Sequence, residues 1–329
     1  MTTRFRRPSL TERFTQLGYL LKNTATIVGR DADILQPLVR MGIYAASLVC
    51  VFFAVVWLYA TGANGTATML LGVCTVAFVY KFFYYNRQEL AMSWLVYETA
   101  GGRDRNLDDA HAQVRELGSQ IRTLALLDMA AAWIARRSRN DKQGFIDGLV
   151  LSALTEGWDL VNHFMLPVFA IERTGFKDGM ERLRVVRENV PETLAGVFGI
   201  DILGRVVGGV MAPVYVILAV LGTAGGLFLS GWFPAAFNAG EIGALLPADA
   251  LAALNLSGDT TFNWFPLATA IFLGKLFSAV FERVVTALKV IYFTLFYTRT
   301  VRPDALADDL RDELERYLEL SGSGEQVAA

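Results

Sequence analysis

Between Arg205 and Lys275 the chain has no lysine and no arginine over 69 residues. Basic residues hold loops of a membrane protein on the cytoplasmic side, so a basic-free stretch is the one that can cross. Other scarcities narrow the field. The only cysteines, Cys50 and Cys74, both sit inside apolar runs. That excludes a disulfide-stapled secreted scaffold and a cysteine-ligated zinc cluster, and both thiols read as small apolar side chains. The only histidines are His111 and His163, too few for a multi-histidine catalytic metal centre. A net charge of −2 removes the global basic field that nucleic acid would need. No P-loop, G-x-S-x-G, H-E-x-x-H or C-x-x-C motif occurs. The expectation is a protein that is not an enzyme and has no cofactor and no metal.

What is abundant is apolar surface. The chain is 53% hydrophobic and 19% charged, more apolar and less charged than soluble domains. Met41–Ala60 is uncharged and long enough for ~30 Å of hydrocarbon. Thr61–Gly65 (TGANG) is a tight turn. Thr66–Tyr80 begins a second span that ends in Lys81-Phe-Phe-Tyr-Tyr-Asn-Arg87, aromatics and cations of the kind that anchor helices at an interface. Its helix is expected to continue to about Glu98 and break at Gly101-Gly102. Thr193–Leu229 is too long for one crossing and divides into an interfacial piece before about Gly204 and a span over Arg205–Leu229, kinked at Pro213. A loop, Ser230–Asn263, follows, and Trp264–Phe281 is the last span, with helix running on to Thr298. The fold class is therefore an all-α polytopic membrane bundle with four spans. Residues 1–40 form a cytoplasmic amphipathic segment, 41–298 the helical membrane domain, and 299–329 an acidic cytoplasmic helix and tail.

The middle of the chain is less decided. Leu107–Arg137 reads as one long helix with Val114, Leu117, Ile121 and Leu124 on a face, and with Asp128 inside its apolar core. Phe145–Ile171 is apolar but interrupted by Asp147, Glu156, Asp159 and His163. Residues 1–40 carry seven basic residues and 172–192 carry five, so both are expected inside. Zero or two crossings then lie between Lys81–Arg105 and residue 172. Two would put Arg136-Arg137-Ser-Arg139-Asn-Asp-Lys142 outside, so two buried or re-entrant helices are expected. A six-span bundle is the alternative.

Three stretches carry a family resemblance: Asp33-Ile-Leu-Gln-Pro-Leu, Trp158-Asp-Leu-Val-Asn-His-Phe-Met-Leu-Pro-Val-Phe-Ala-Ile-Glu172, and Tyr292-Phe-Thr-Leu-Phe-Tyr297. In their order they resemble an uncharacterised prokaryotic polytopic membrane protein family, a domain of unknown function, over roughly residues 10–300. His163 and the run Arg136–Lys142 depart from its pattern. The resemblance implies an all-helical inner-membrane protein and brings no activity with it.

Two polar stripes are the candidate sites. Ser152, Glu156, Asp159 and His163 share a helix face at spacings of four, three and four. Ionisable groups at membrane depth need water, a partner or a metal, and Asp128 is the carboxylate that would complete a metal set. A wet cytoplasmic face explains the stripe without a site. Lys275, Ser278, Glu282, Thr286 and Lys289 form the second stripe, read either as structural pairing or as the lining of a hydrated cleft. Asp201 and Arg205 read as a structural i,i+4 pair. Gly204, Gly208 and Ala212 form a small-residue ridge for close helix packing, within the bundle or in a homo-oligomer. Gly222-x-x-Gly225-Gly226 is apolar and no phosphate loop.

These features point to a transport, permeation or lipid-handling module of a bacterial or archaeal cytoplasmic membrane, with both termini inside. A non-catalytic scaffold or assembly factor is the alternative. A hydrolase using Glu156, Asp159 and His163 is the third reading. The partners expected are the lipid bilayer and anionic inner-leaflet lipids at the basic amphipathic segments 9–22 and 175–190; the first of these segments packs on the protein's own cytoplasmic side in the other reading. Residues 1–30 show no apolar core with a cleavage site, so no cleaved signal peptide is expected. The orientation is checked by labelling in intact cells. A cysteine at Asn255 should react with an impermeant reagent and one at Arg184 should not. Reaction at residue 184 overturns the orientation.

Overall fold

The computed structural model describes residues 24–140, 161–179, 211–244, 247–253 and 257–312, together with Gly18, Lys22, Glu181 and Gly209. Most of the expected N-terminal helix, the basic stretch 182–190, the Asp201–Arg205 pair and the end of the acidic helix lie outside these residues. The described protein is all-α apart from one small ribbon. Its main helices are α1 (Leu35–Ala60), α2 (Asn64–Ala100), α3 (Leu107–Arg115), α4 (Gly118–Asn140), α5 (161–172), α6 (211–228) and α7 (Phe265–Val301). Three described helices are long and apolar enough to cross a membrane: Ala32–Ala60, Asn64–Ala100 and Met211–Phe228. The helix expected to be the fourth crossing, α7, is not one of them.

The chain divides into two compact units. One holds residues 42–78 and 205–282 and is wrapped in apolar surface. Met69, Val76, Ile43, Val216, Val220 and Ile271 are all more than half exposed. Apolar exposure on this scale marks a surface that fits an apolar partner, and the helices have the length a membrane crossing needs. The turn joining α1 to α2 behaves as its sequence predicts. Gly62 takes a positive φ of 83°, which glycine adopts without strain, and α2 restarts at Asn64. The Tyr44 hydroxyl donates to the Ala77 carbonyl at 2.7 Å, and Tyr59 and Thr68 pair at 3.0 Å. These two contacts bracket Cys50 and Cys74, which therefore lie at similar depth. Cys50 is exposed, Cys74 is buried, and both are free.

Close helix packing in this unit falls on Gly222 and Gly226, four residues apart. Of the expected ridge, Gly204 and Gly208 lie outside the described residues and Ala212 is exposed. A Cβ on Gly222 would sit 2.8 Å from the Leu267 Cα, and one on Gly226 would collide with the Asn263 carbonyl. Gly274 lies against the ring of Tyr215, whose hydroxyl donates to the Gly274 carbonyl at 2.8 Å. Glycine is required at these points because backbone meets backbone or an aromatic face. The loop before α7 is more ordered than its composition suggests. Strand β1 (Asn238–Glu241) pairs antiparallel with β2 (Thr261–Asn263). Buried Asn263 donates to the Pro234 carbonyl and to Asn238, and accepts from the Phe265 amide at the start of α7. Phe237 closes the loop under Trp57, Trp264 and Phe265 at centroid distances of 4.9–5.1 Å.

The other unit holds residues 1–41, 79–204 and 283–329. Here the second half of α2 is buried on nearly every face, with Leu90, Ala91, Met92, Leu95 and Val96 fully enclosed. Phe164 and Val168 of α5 pack on Phe293 and Tyr297 of α7. The expected single helix over Leu107–Arg137 is in fact two. At the end of α3 the amides of Glu116 and Leu117 bond the carbonyls of Gln113 and Val114, tightening the turn to i→i−3. Leu117 is thereby buried and α4 starts afresh at Gly118. The apolar period is the same on both sides, so the pattern alone hides the break.

Gly222→Val should lower the thermal midpoint of the detergent-solubilised protein, at a cost of about 1–3 kcal/mol from overpacking. Gly72→Ala, where an added Cβ meets nothing within 4 Å, is the control. Equal midpoints for the two variants would contradict the close approach.

Candidate functional site

Among the polar residues in the second half of α2, Asn86, Glu89 and Ser93 lie at i, i+3 and i+7 and so share one face. All three are buried. Asn86 meets Asp128 of α4: its Nδ2 donates to Asp128 Oδ2 at 2.6 Å. Asn162 of α5 donates to the other oxygen, Asp128 Oδ1, at 3.1 Å. The carboxylate is thus held between two carboxamides on two other helices. Ser93 lies 2.8 Å from Thr294 of α7. The Thr294 hydroxyl spends its only hydrogen on the Val290 carbonyl at 2.7 Å, so Ser93 is the donor of that pair. His163 is 5% exposed beside Phe293, with ring centroids 5.8 Å apart. Arg283 stacks over Tyr85 at 4.4 Å. The result is a polar layer through the unit, contributed by four helices.

Carboxamide orientation follows from the charge it faces. An ionised Asp128 accepts only, so both Nδ2 groups must turn toward it. The Oδ1 atoms of Asn86 and Asn162 are then buried acceptors without a protein donor. Two such oxygens beside a carboxylate can receive water, a proton carrier or a hard cation. Among the described residues no group of three His, Cys, Asp or Glu could hold a metal ion.

The sequence-predicted residues fare differently. Glu156, Asp159 and Ser152 lie outside the described residues. His163 and Asp128 both lie in the polar layer. Lys275 and Glu282 are exposed in the apolar unit, where Ser278 donates to Glu282 Oε1 at 3.5 Å, while Lys289 is half-buried in the other. Sequence reasoning missed Asn86 and Asn162. The signal was there in the spacing of Asn86, Glu89 and Ser93, three polar residues on one helix face.

A second polar cluster closes the far end of the same unit. Glu172 at the end of α5, its side chain 3% exposed, takes both arms of the Arg302 guanidinium at 2.9 and 2.7 Å. The Glu172 contact raises the Arg302 pKa above the usual arginine value. Glu98 pairs with Arg103 at 2.5 Å, and Arg30 with Asp309 at 2.6 Å. The Ala307 amide bonds the Ala100 carbonyl at 2.9 Å, capping the end of α2. Gly101 is required there because a Cβ would stand 2.9 Å from the Ala305 carbonyl oxygen. His111 of α3 sits between Gln88 and Arg40, at 3.3 and 3.5 Å. Burial, with the charges of Arg87 and Arg40, holds its pKa below the ordinary histidine value. This cluster is a clamp of ion pairs, and the polar layer is the better candidate site.

Asp128→Ala takes one acceptor from each carboxamide, Asn86 keeping its bond to the Phe82 carbonyl at 3.0 Å, and each buried N–H left without a partner costs about 1–3 kcal/mol. The thermal midpoint in detergent should fall clearly. Lys275→Ala, at an exposed position, should stay within about 0.5 kcal/mol of wild type. An unchanged midpoint for Asp128→Ala would refute the buried bridge. Compared with protein-family models, curated proteins and solved structures, the chain matches none of them.

Proposed function

We propose that this is an integral protein of a bacterial or archaeal cytoplasmic membrane that serves transport, permeation or lipid handling, with the polar layer as its working element. The first half of α7 is the fourth crossing, α4 and α5 do not cross, and both termini are cytoplasmic. The observation that carries the reading is the position of the layer along α2. Asn86 lies 22 residues after Asn64, ~33 Å along the helix at ~1.5 Å per residue. That is one hydrocarbon thickness from the start of α2. The layer therefore stands where the span ends, beside the basic residues Lys81, Arg87 and Arg283 that favour the inner side. Burying Glu89 and His163 and half-burying Asp128 there is expensive, and such groups are retained where ions, protons or polar headgroups pass.

The scaffold reading stays as the second one because of the ion-pair clamp. Arg30–Asp309, Glu98–Arg103 and Glu172–Arg302 fasten the chain segments at the far end of the unit. A rigid helical platform presented at the membrane would use the same features.

Flux separates the two. Purified protein in liposomes should conduct an ion or a small polar solute above empty vesicles, read with trapped fluorescent indicators. Asp128→Asn should lose that flux while its far-ultraviolet helix signal stays unchanged. Absence of flux in wild type, with a stoichiometric partner retained through mild purification, would favour the scaffold.

A further inference from the structure

Two arginines meet where the apolar stretches of α1 and α2 end. Arg40 of α1 lies 20 residues before Ala60, and Arg87 of α2 lies 23 residues after Asn64. At ~1.5 Å per residue these are ~30 and ~35 Å along each helix from the turn that joins them, about one hydrocarbon thickness. The charges of both arginines act on His111 of α3 and on the Tyr84 phenol, so the two guanidiniums converge on one place. That place is apart from the ion-pair clamp. Gln88, which His111 touches, precedes Glu98 by ten residues, ~15 Å along α2.

The contacts fix the state of the imidazole. Arg40 Nη1 stands 3.5 Å from His111 Nδ1 and can only donate, so Nδ1 is the acceptor. The ring proton is then on Nε2, which donates to Gln88 Oε1 at 3.3 Å. His111 is therefore neutral between the two guanidiniums and gives them no counter-charge. Among the described residues, neither Arg40 nor Arg87 has an ion pair. Asp108, whose charge acts on His111 against the two arginines, is exposed in the first turn of α3. Arg87 Nε is a buried donor with no acceptor. Two like charges are thus brought together without a carboxylate between them, a repulsion that an anion offsets.

We propose that Arg40, Arg87 and His111 form a binding site for a phosphate group. A guanidinium presents parallel N–H donors in a fork that fits two phosphate oxygens, and two guanidiniums hold one phosphate between them. Arg87 Nε then gains the acceptor it lacks. The headgroup of an anionic phospholipid and free inorganic phosphate present the same oxygens. The level of the site along both helices favours the lipid, because the phosphates of a bilayer lie just beyond its hydrocarbon. The site does not require transport, and only its lipid form rests on the membrane location.

The test follows His111 itself. The full chain with isotope-labelled histidine is titrated by NMR in detergent micelles at constant ionic strength, and His111→Gln tells its signal from that of His163. Burial and the two cations hold the His111 pKa low, so an anion between the arginines must move its titration midpoint up. The conditions are sodium chloride, sodium phosphate, and sodium chloride with phosphatidylglycerol or phosphatidylcholine in the micelle. A rise with phosphatidylglycerol and none with inorganic phosphate assigns the site to a lipid headgroup. A rise with inorganic phosphate assigns it to free phosphate. The combined Arg40→Gln and Arg87→Gln variant should start from a higher midpoint and not move, while Arg122→Gln, exposed on α4, should behave as wild type. If the combined variant does not fold, Arg40→Gln alone, at an exposed position, serves the same comparison. Either single substitution should weaken the ligand about tenfold or more. A wild-type midpoint unmoved in every condition overturns the inference. So does a midpoint that moves equally when the arginines are replaced, because the effect is then that of the micelle surface.

Discussion

A helix of 37 residues extends ~55 Å, nearly twice the ~30 Å of a bilayer's hydrocarbon core. Both α2 and α7 have that length. Neither can satisfy its whole surface in one medium, and their burial changes accordingly along the axis. The first half of α2 is mostly exposed and apolar, while from Tyr85 to Ala100 it is buried on nearly all sides. In α7, positions 271–284 are largely open and 287–298 largely enclosed. The described parts of each unit follow this change. One unit offers apolar side chains outward and uses glycine to bring helices together. The other must build a core around helix ends that carry polar groups.

Those polar groups set the energetics of the second unit. Asn86, Glu89, Ser93, Asp128, Asn162, His163 and Thr294 are placed where burial demands partners, and three of the contacts between them cross from one helix to another. A half-buried carboxylate such as Asp128 is not in itself stabilising, since desolvation offsets much of the attraction. What such a bridge does is allow one arrangement of α2, α4 and α5 and penalise others. The clamp at the far end works in a different regime. Arg30–Asp309 and Arg173–Glu116 are exposed pairs worth little individually, whereas the Glu172 carboxylate is nearly enclosed and has to keep Arg302.

Much of the membrane architecture was legible in order and composition. The α1–α2 turn, the α2 break at Gly101-Gly102 and the apolar character of 211–228 follow from hydropathy and glycine placement, which act locally. The break between α3 and α4 was not legible, because an apolar period of 3.6 continues through a tightened turn. Nor was the site. The stripe around His163 drew notice because it is dense in charge, yet the residues that hold Asp128 are carboxamides, which carry no charge and are common on any surface. Gly222 and Gly226 stood in view as a glycine cluster, and their four-residue spacing meant packing.

The sequence by itself determined which segments are apolar enough to cross, where they turn, and where along the chain basic residues gather. These depend on transfer free energies that each residue carries with it wherever the chain goes. Only the tertiary structure decided that Asp128 bridges Asn86 and Asn162 and that Ser93 donates to Thr294. Such contacts join positions 34 to 201 residues apart. Their pairing is chosen by the packing of whole helices, which no local pattern of residues encodes.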